Sequence, residues 1–204
     1  MDTVEFGLET ARATIRHWRP DEAELLFDIR RRPDVAQWLG DPRPWTGVEQ
    51  ARANIVAWRD RATDAVPSTC AIVPNGTGVP VGSVSLNKMP QPGSGDVPVT
   101  DADWLREYTP VGGITNGVDG EVEVGWYLHP DALGHGWASE AAAAMLDHGF
   151  KHGLSRIWAV MWASNGPSAA VCRRIGMTEL GVQVDPWYGS SDDATSRFFL
   201  ATSP

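Results

Sequence analysis

A strand, a glycine turn and the start of a helix follow one another between residues 121 and 140. Polar and apolar side chains alternate over 121–128, which is typical of a strand with one exposed face. Gly134 and Gly136 come next, and an alanine-rich segment then predicts a helix over 136–152. Since such a helix buries its apolar side against the sheet that contains the strand, this unit favours an α/β layered fold.

The rest of the chain also alternates between strand and helix patterns. Apolar spacing and turn residues predict strands over 11–18, 68–73, 79–86, 156–162, 179–184 and 196–201, and helices over 21–31, 47–63 and 166–175. Residues 74–78 are turn-rich and favour a hairpin between the second and third of these strands. Thr46 and Glu49 fit a capping box at the start of the helix over 47–63. We therefore expect helices packed on one mixed sheet of about six or seven strands.

Residues 89–120 are crowded with Pro, Gly and Asp and show no such pattern. A length of 204 residues suits one domain, so we predict a single domain over 1–204 with a long insertion at 89–120. A loop of this length in a compact domain is usually functional or disordered. The acidic side chains in or beside it suit a cationic ligand and would equally suit a solvated loop: Asp96, Asp101, Asp103, Glu107, Asp119 and Glu121.

Charge and composition argue against several classes of protein. The formal net charge is −9, with 17 basic and 26 acidic residues, which argues against nucleic-acid binding through a basic surface. No apolar run approaches the roughly 20 residues that cross a bilayer, and residues 1–8 lack the layout of a signal peptide. Only Cys70 and Cys172 are present, far apart in sequence, so neither a disulfide framework nor a zinc site is indicated. We expect a cytoplasmic protein without a membrane or nucleic-acid partner.

The glycine turn is suited to binding phosphate. Backbone N–H groups at the N-terminus of a helix are unpaired and lie at the positive end of its dipole, where a pyrophosphate can accept hydrogen bonds. Gly134 and Gly136 carry no side chain, so a ligand can approach their backbone closely. An ordinary tight turn between a strand and a helix would have the same glycines. A dinucleotide-binding Rossmann module is a further alternative.

Several details argue against the Rossmann module. Ser139 stands at the position of its third glycine, and residues 157–160 are apolar where a ribose-binding acid is expected. The strand over 121–128 is half exposed, whereas the buried parallel strand of that module is a continuous apolar run. A nucleotide-dependent oxidoreductase is therefore the less favoured function.

At these residues the sequence resembles the GCN5-related N-acetyltransferase (GNAT) superfamily, especially the branch of the ribosomal-protein acetyltransferases that modify N-terminal amines. The pyrophosphate motif of the superfamily, Q/R-x-x-G-x-G/A, corresponds here to residues 133–138, Leu-Gly-His-Gly-Trp-Ala, and Ser139-Glu140-Ala141 continue the match. Leu133 departs from the usual first residue. A second match covers 153–165, ending at Asn165, and is followed by Ser168, Val171 and Ile175-Gly176-Met177.

The resemblance implies a largely antiparallel sheet of about six or seven strands with about four flanking helices, a splay between two strands, and acetyl-CoA as the co-substrate without a metal. It implies that the pantetheine lies in the splay like an added strand. The binding residues carried over from the family are Trp126, Tyr127 and Leu128 for the pantetheine, Leu133, Gly134, His135, Gly136, Trp137, Ala138 and Ser139 for the pyrophosphate, and Asn165 and Ser168 for the acetyl-CoA arm.

Acetyl transfer to an amine requires a neutral amine and a proton for the leaving thiolate. Glu123 resembles the strand glutamate that many relatives use as a base through water, and a solvated strand glutamate is its alternative. Ser168 and Tyr188 are the candidate acids. Cys172 stands where many relatives place a tyrosine, although a buried helical cysteine is more often a core residue.

Trp38 and Trp45 flank a loop on the side that binds the acceptor in the family, and they are expected to wall the acceptor pocket unless they belong to the core. His148 and His152 share a helix face but lack the acid of the H-E-x-x-H zinc motif. We therefore expect direct acetyl transfer to a peptide N-terminus or a small amine. A non-catalytic acyl-CoA-binding module of the same fold is the alternative, and a homodimer is the default assembly.

Overall fold

The computed structural model describes residues 6–89, 120–185 and 195–204, and these residues form one sheet of eight strands. The strands are β1 (Gly7–Glu9), β2 (Ala13–His17), β3 (Ser68–Pro74), β4 (Gly82–Lys88), β5 (Val122–Leu128), β6 (Arg156–Trp162), β7 (Thr178–Val184) and β8 (Thr195–Thr202). Their order is β1-β2-β3-β4-β5-β6-β8-β7. All neighbours are antiparallel except β5 and β6, which run parallel.

Five α-helices flank this sheet in the described part of the chain: α1 (Ala23–Arg30), α2 (Pro33–Ala36), α3 (Val48–Arg61), α4 (Trp137–Lys151) and α5 (Gly166–Arg174). Short 3-10 turns at Pro20–Glu22 and Pro130–Ala132 precede α1 and α4. The layered fold, the mixed sheet and the strand-turn-helix unit agree with the expectation from the sequence.

The two faces of the sheet are buried by different helices. One face carries the larger apolar cluster, in which Ile72, Leu86 and Val124 of the sheet pack with Met145 of α4 and Cys172 of α5. The other face packs against α1 and α3. Its apolar cluster consists of Trp18, Ala23, Leu26, Ile29, Val35, Ala51, Ile55, Trp58, Ala71 and Val73. Alternation along each strand therefore supplies both cores, as expected for a sheet covered on both sides.

The structure differs from the sequence-based expectation at three local points. The sequence did not predict β1, because Gly7–Glu9 is too short and too exposed for a pattern to register. Strand β4 starts at Gly82 rather than Val79, and a Cβ at Gly82 would lie 2.4 Å from the Tyr127 carbonyl oxygen, so the strands approach too closely there for any side chain. Helix α3 is capped by Gly47, one residue later than expected, and Gln50 rather than Glu49 closes the cap, since its Oε1 accepts from the amides of Thr46 at 2.7 Å and Gly47 at 3.2 Å.

Candidate functional site

Strands β5 and β6 diverge from one another. Their Cα register contains a single pair, Glu123 with Trp158, whereas β4 and β5 share seven consecutive pairs from Gly82↔Leu128 to Lys88↔Val122. Beyond this pair the two strands separate toward their C-terminal ends. The side of β5 that faces β6 therefore offers backbone groups that β6 does not pair, which is the condition for an extended ligand to add itself as a strand.

A cleft of about 570 Å³ opens in the gap between the diverging strands β5 and β6, which we call the wedge. Its lining includes Trp126 and Leu128, whose side chains lie on the face of the sheet that α4 covers. It also includes Ser85 and Glu123, whose side chains lie on the face that α1 and α3 cover. Since residues of both faces line the same cleft, it passes through the sheet at the wedge. A ligand bound from one face can therefore meet a second ligand bound from the other.

The cleft has a polar floor on its α1–α3 side. Register pairs place Asn87 beside Glu123 and Ser85 beside Gly125, and directly opposite residues share a face. The residues of this floor that line the cleft are Thr69, Ser83, Ser85, Asn87 and Glu123. A Cβ at Gly125 would lie 3.2 Å from Ser85 Oγ, so the glycine keeps the centre of the floor open. Sequence reasoning found only Glu123 of this set, because the other side chains meet through strand pairing.

Glu121 lies just before β5 and closes the base of the wedge. Its carboxylate accepts from Arg156 Nε and from Trp158 Nε1, both at 2.8 Å, and forms an ion pair with the same arginine. The Arg156 side chain is largely buried, and its hydrogen bond to Glu121 raises the pKa of the guanidinium. Of the six acids that the sequence offered for a cationic ligand, Glu121 alone lies among the described residues, and this pairing occupies it.

The glycine turn precedes α4 as expected. Gly134 and Gly136 both have φ of +81°, a conformation that side chains with a Cβ disfavour. Among the described residues, no backbone carbonyl accepts from the amides of residues 134–139. These amides lie at the N-terminal end of a helix of 15 residues, so the turn presents unpaired donors at the positive end of a dipole.

Two arginines from elsewhere in the chain surround this turn. Arg12 donates to the Glu140 carboxylate at 2.7 Å through Nε and to the His135 carbonyl at 3.1 Å through Nη1, and its guanidinium lies 4.6 Å from the Trp137 ring centroid. Arg174 of α5 donates to Ser139 Oγ at 2.8 Å. Arg174 adds positive charge beside the free amides, whereas the charge of Arg12 is balanced by the Glu140 carboxylate. The sequence did not single out either one, because each reaches the turn only through the tertiary fold.

Asn165 and Ser168 lie at the start of α5, beside the wedge. Asn165 is buried and is the N-cap, since its Oδ1 accepts from the Ser168 amide at 3.1 Å. Both residues line the cleft. The cap fixes the position of Ser168 at the opening between β5 and β6, and it leaves the hydroxyl of Ser168 available to a ligand there.

Cys172 is a core residue in this arrangement. Its side chain is fully buried in the cluster beneath α4, and burial raises the pKa of the thiol to about 12. Burial also raises the pKa of the Cys70 thiol. A thiol held neutral in an apolar cluster is a poor proton donor, so the geometry leaves Cys172 without a role in proton transfer.

The two tryptophans expected at the acceptor pocket have different positions. Trp38 lines the cleft and is 38% exposed. Trp45 lies outside the cleft lining and packs against the α1–α3 core, where the Arg30 guanidinium carbon lies 4.6 Å from its ring centroid.

The remaining site residues predicted from the sequence fall into three groups. The cleft is lined by Glu123, Trp126, Tyr127, Leu128, Leu133, Ala138, Asn165 and Ser168. The turn beside it contains Gly134, His135, Gly136, Trp137 and Ser139, of which His135 and Trp137 line a separate shallow groove. Tyr188 lies outside the described residues.

The histidines on α4 contact the backbone and one another. His148 Nε2 lies 2.7 Å from the Asp64 carbonyl oxygen, and the rings of His148 and His152 are in contact, with centroids 4.1 Å apart and planes tilted by 35°. Across residues 6–89, 120–185 and 195–204, no three His, Cys, Asp or Glu side chains are grouped to hold a metal ion. In the same ranges, no helix has the length and apolar character to cross a membrane.

These features agree with a comparison of the whole sequence with protein families. The model of the acetyltransferase (GNAT) domain matches residues 12–178. The chain therefore belongs to the GNAT acetyltransferase family.

Two curated relatives are similar in sequence. The chain is 25% identical to the uncharacterised N-acetyltransferase p20 of Bacillus licheniformis over 179 residues, which cover 87% of this chain and 85% of p20. It is 45% identical to the uncharacterised N-acetyltransferase YnaD of Bacillus subtilis over 60 residues, 29% of this chain and 35% of YnaD. The match to YnaD thus spans only about a third of that protein.

Solved structures share the fold over nearly the whole chain. A GNAT acetyltransferase from Bacillus anthracis has a TM-score of 0.72 at 20% identity, covering 97% of this chain and 98% of that one. The ribosomal L7/L12 α-N-protein acetyltransferase RimL, solved in complex with coenzyme A, has a TM-score of 0.68 at 16% identity with the same coverage. At such identities these structures support the architecture rather than a substrate.

Proposed function

We propose that this protein transfers the acetyl group of acetyl-CoA directly to a primary amine. The observation that carries the proposal is the junction of two binding features in one place: the free amides of the glycine turn and the unpaired edge of β5 at the wedge. A pyrophosphate suits the first feature and a pantetheine amide chain suits the second. The fit is supported by Leu133 and Ala138, which lie at the turn and also line the cleft.

The chemistry requires that the amine lose a proton and that its nitrogen attack the thioester carbonyl carbon. The C–N bond forms, the C–S bond breaks, and the thiolate leaves and takes up a proton. Glu123 is the proposed base, because it lies at the apex of the wedge on the acceptor side of the sheet. A primary amine with a pKa near about 10.4 is almost wholly protonated at neutral pH, so a base that accepts its proton accelerates the reaction.

The proposed acid is Ser168, with Tyr188 as the second candidate. Ser168 lines the cleft at the N-terminus of α5, where the helix dipole also favours negative charge on a departing sulfur. Wedge backbone at Trp126, Tyr127 and Leu128 would hold the pantetheine, and Trp38 would contact the acceptor. No covalent acyl-enzyme is required, because the wedge joins the two sides of the sheet directly.

The test combines calorimetric binding of acetyl-CoA with a thiol-release assay over a panel of peptides, polyamines, amino acids and aminoglycosides. Acceptor-dependent release would support the acetyltransferase. Tight binding of acetyl-CoA without release by any acceptor would favour a binding module of the same fold. Absence of acetyl-CoA binding would contradict the proposal as a whole, since the glycine turn would then have no pyrophosphate to hold.

A further inference from the structure

Arg30 is the one basic residue among the described residues that line the cleft. It ends α1, on the side of the sheet where the acceptor would bind. Its charge acts on the Asp41 carboxylate, but no carboxylate in the described part of the chain lies within ion-pair distance of it, and its Nε is buried without a hydrogen-bond partner. Buried polar atoms in folded proteins are nearly always paired, so a buried Nε without a partner, on a guanidinium that lines a cleft, calls for an explanation.

Aromatic side chains hold this guanidinium in place. Its central carbon lies 4.6 Å from the Trp45 ring centroid and 5.3 Å from the Tyr127 ring centroid. The Trp45 amide also donates to the Arg30 carbonyl at 3.1 Å, which ties the loop to the end of α1. Stacking contacts use the faces of a guanidinium and leave N–H groups at its edge available for an oxygen fork.

The Tyr127 hydroxyl is a second buried polar group at this place. Its oxygen lies close to the Ser83 and Arg30 side chains but lacks a hydrogen bond of normal geometry to either. Burial raises the pKa of this phenol, and the charge of Arg30 together with the interactions of Ser83 and Arg30 with the hydroxyl opposes that shift only in part. The hydroxyl therefore stays protonated at neutral pH and available as a donor. Arg30 and Tyr127 thus bring a cation and a hydroxyl donor together.

The charges of the residues that line the cleft restrict the chemical class of the ligand further. Four carboxylates also line it: Asp34, Asp41, Glu123 and Asp185. Asp41 is paired with Arg43 at 2.8 Å, so its charge is largely balanced within the chain. A ligand with only positive charges would meet Arg30 unfavourably, whereas one that carries both signs can match both kinds of group.

We propose that the acceptor is an amino-carboxylate, an amine whose carboxylate group binds the Arg30 guanidinium while its amine points to the wedge. This proposal rests on the proposed acetyl transfer. Gly125 and Tyr127 are two residues apart on one strand, or about 7 Å, so the distance from the open floor to the Arg30 end suits an amino acid or a short peptide. A carboxylate on a guanidinium is a bidentate, charge-assisted contact and fixes the orientation of the acceptor.

The experiment compares amino acids with their own amides, which have the same amine and side chain but no carboxylate. Rates are compared per concentration of neutral amine, because the amide lowers the amine pKa. The wild type is expected to show at least about a tenfold higher kcat/KM for the carboxylates than for the amides, in line with a charged hydrogen-bonded contact. Arg30→Gln should raise the KM of the carboxylates and bring the two series close together, and Arg30→Lys should retain part of the preference.

Arg31→Gln is the matched control. Arg31 is the next residue along, lies outside the cleft lining and is paired with Asp28 on the surface, so this variant should keep the wild-type preference. Thermal unfolding of each variant shows whether it is folded. Amides or polyamines that equal the carboxylates in the wild type would overturn the proposal while leaving acetyl transfer intact, as would a preference that survives in Arg30→Gln.

Direct binding separates this proposal from a failure of the proposed function. If no acceptor releases thiol, calorimetric titration of the amino acids and their amides into the coenzyme A complex still reports their affinities. Tighter binding of the carboxylates that disappears in Arg30→Gln supports the Arg30 contact. Equal affinity of the two series, or no binding of either, contradicts it.

Discussion

Glu123 and Trp158 form the single register pair between the parallel strands β5 and β6, and the strands separate beyond it. The Trp158 indole donates to Glu121 at 2.8 Å, so the same tryptophan also contacts the ion pair below the wedge. The separation of the strands therefore begins at a fixed point. Glu123 stands at that point, where the amine and the thioester of the proposed reaction would meet.

We expect Glu123→Gln to lower kcat by about 10²-fold at neutral pH and to leave the affinity for acetyl-CoA nearly unchanged. The loss should shrink as the pH rises, because free amine becomes abundant without a base. A pH–rate profile of the variant and the wild type measures this. Glu49→Gln, on the exposed side of α3, is the control. A pH–rate profile for Glu123→Gln that matches the wild type would remove Glu123 from the role of base.

Ser168→Ala should slow turnover by about tenfold or more if its hydroxyl supplies the proton to the thiolate. Cys172→Ala is its control on the same helix, because the buried thiol has its pKa raised to about 12 and should have no part in turnover. Steady-state kinetics with both variants and with Tyr188→Phe assign the acid. Full activity in Ser168→Ala and a slow Tyr188→Phe would move the role to Tyr188.

Gly134→Ala should weaken acetyl-CoA binding and lower the stability by about 1–2 kcal/mol, the usual cost of a left-handed conformation for a residue with a Cβ. Gly153→Ala is a matched control. Both glycines have positive φ, +81° and +90°, and a Cβ at either would meet no atom within 4 Å. Calorimetry should show that Gly153→Ala loses stability and keeps its affinity, since only the first glycine lies at the turn. Equal affinities in the two variants would contradict the assignment of the turn.

The pH dependence of stability should contain a contribution from Glu140. Partial burial raises the pKa of this carboxyl, but hydrogen bonds from Thr10 and Arg12 outweigh it and hold the pKa below the usual 4.5. A lowered pKa means that the stabilisation is complete above pH 4.5 and is lost as the pH falls toward the folded-state value. Urea unfolding between pH 3 and 7 measures this. In Glu140→Gln the free energy of unfolding should depend less on pH at the acid end. An unchanged pH dependence would contradict the stabilising contact of Glu140 with Thr10 and Arg12.

The sequence predicted what depends on local pattern, and it failed where the fold brings distant residues together. The glycine turn, the helix after it and the hairpin of β3 and β4 have signals within a few neighbouring residues. Arg30 had no such signal, because the sequence does not show whether an arginine forms an ion pair with a carboxylate in the folded protein. Trp45 was expected at the acceptor pocket because it flanks a loop on that side, or else in the core, and it packs against the core beside the Arg30 side chain, which is 15 positions away in the chain.

The ion pair between Arg12 and Glu140 joins residues that are 128 positions apart in the chain. At translation rates of about 5–20 residues per second, roughly 6 to 26 s pass between the synthesis of the two residues. During that interval Arg12, in the connection between β1 and β2, cannot form its ion pair with Glu140. The glycine turn therefore forms a contact between the earliest part of the newly made chain and a later part, and this contact is complete only after most of the sheet has been synthesised.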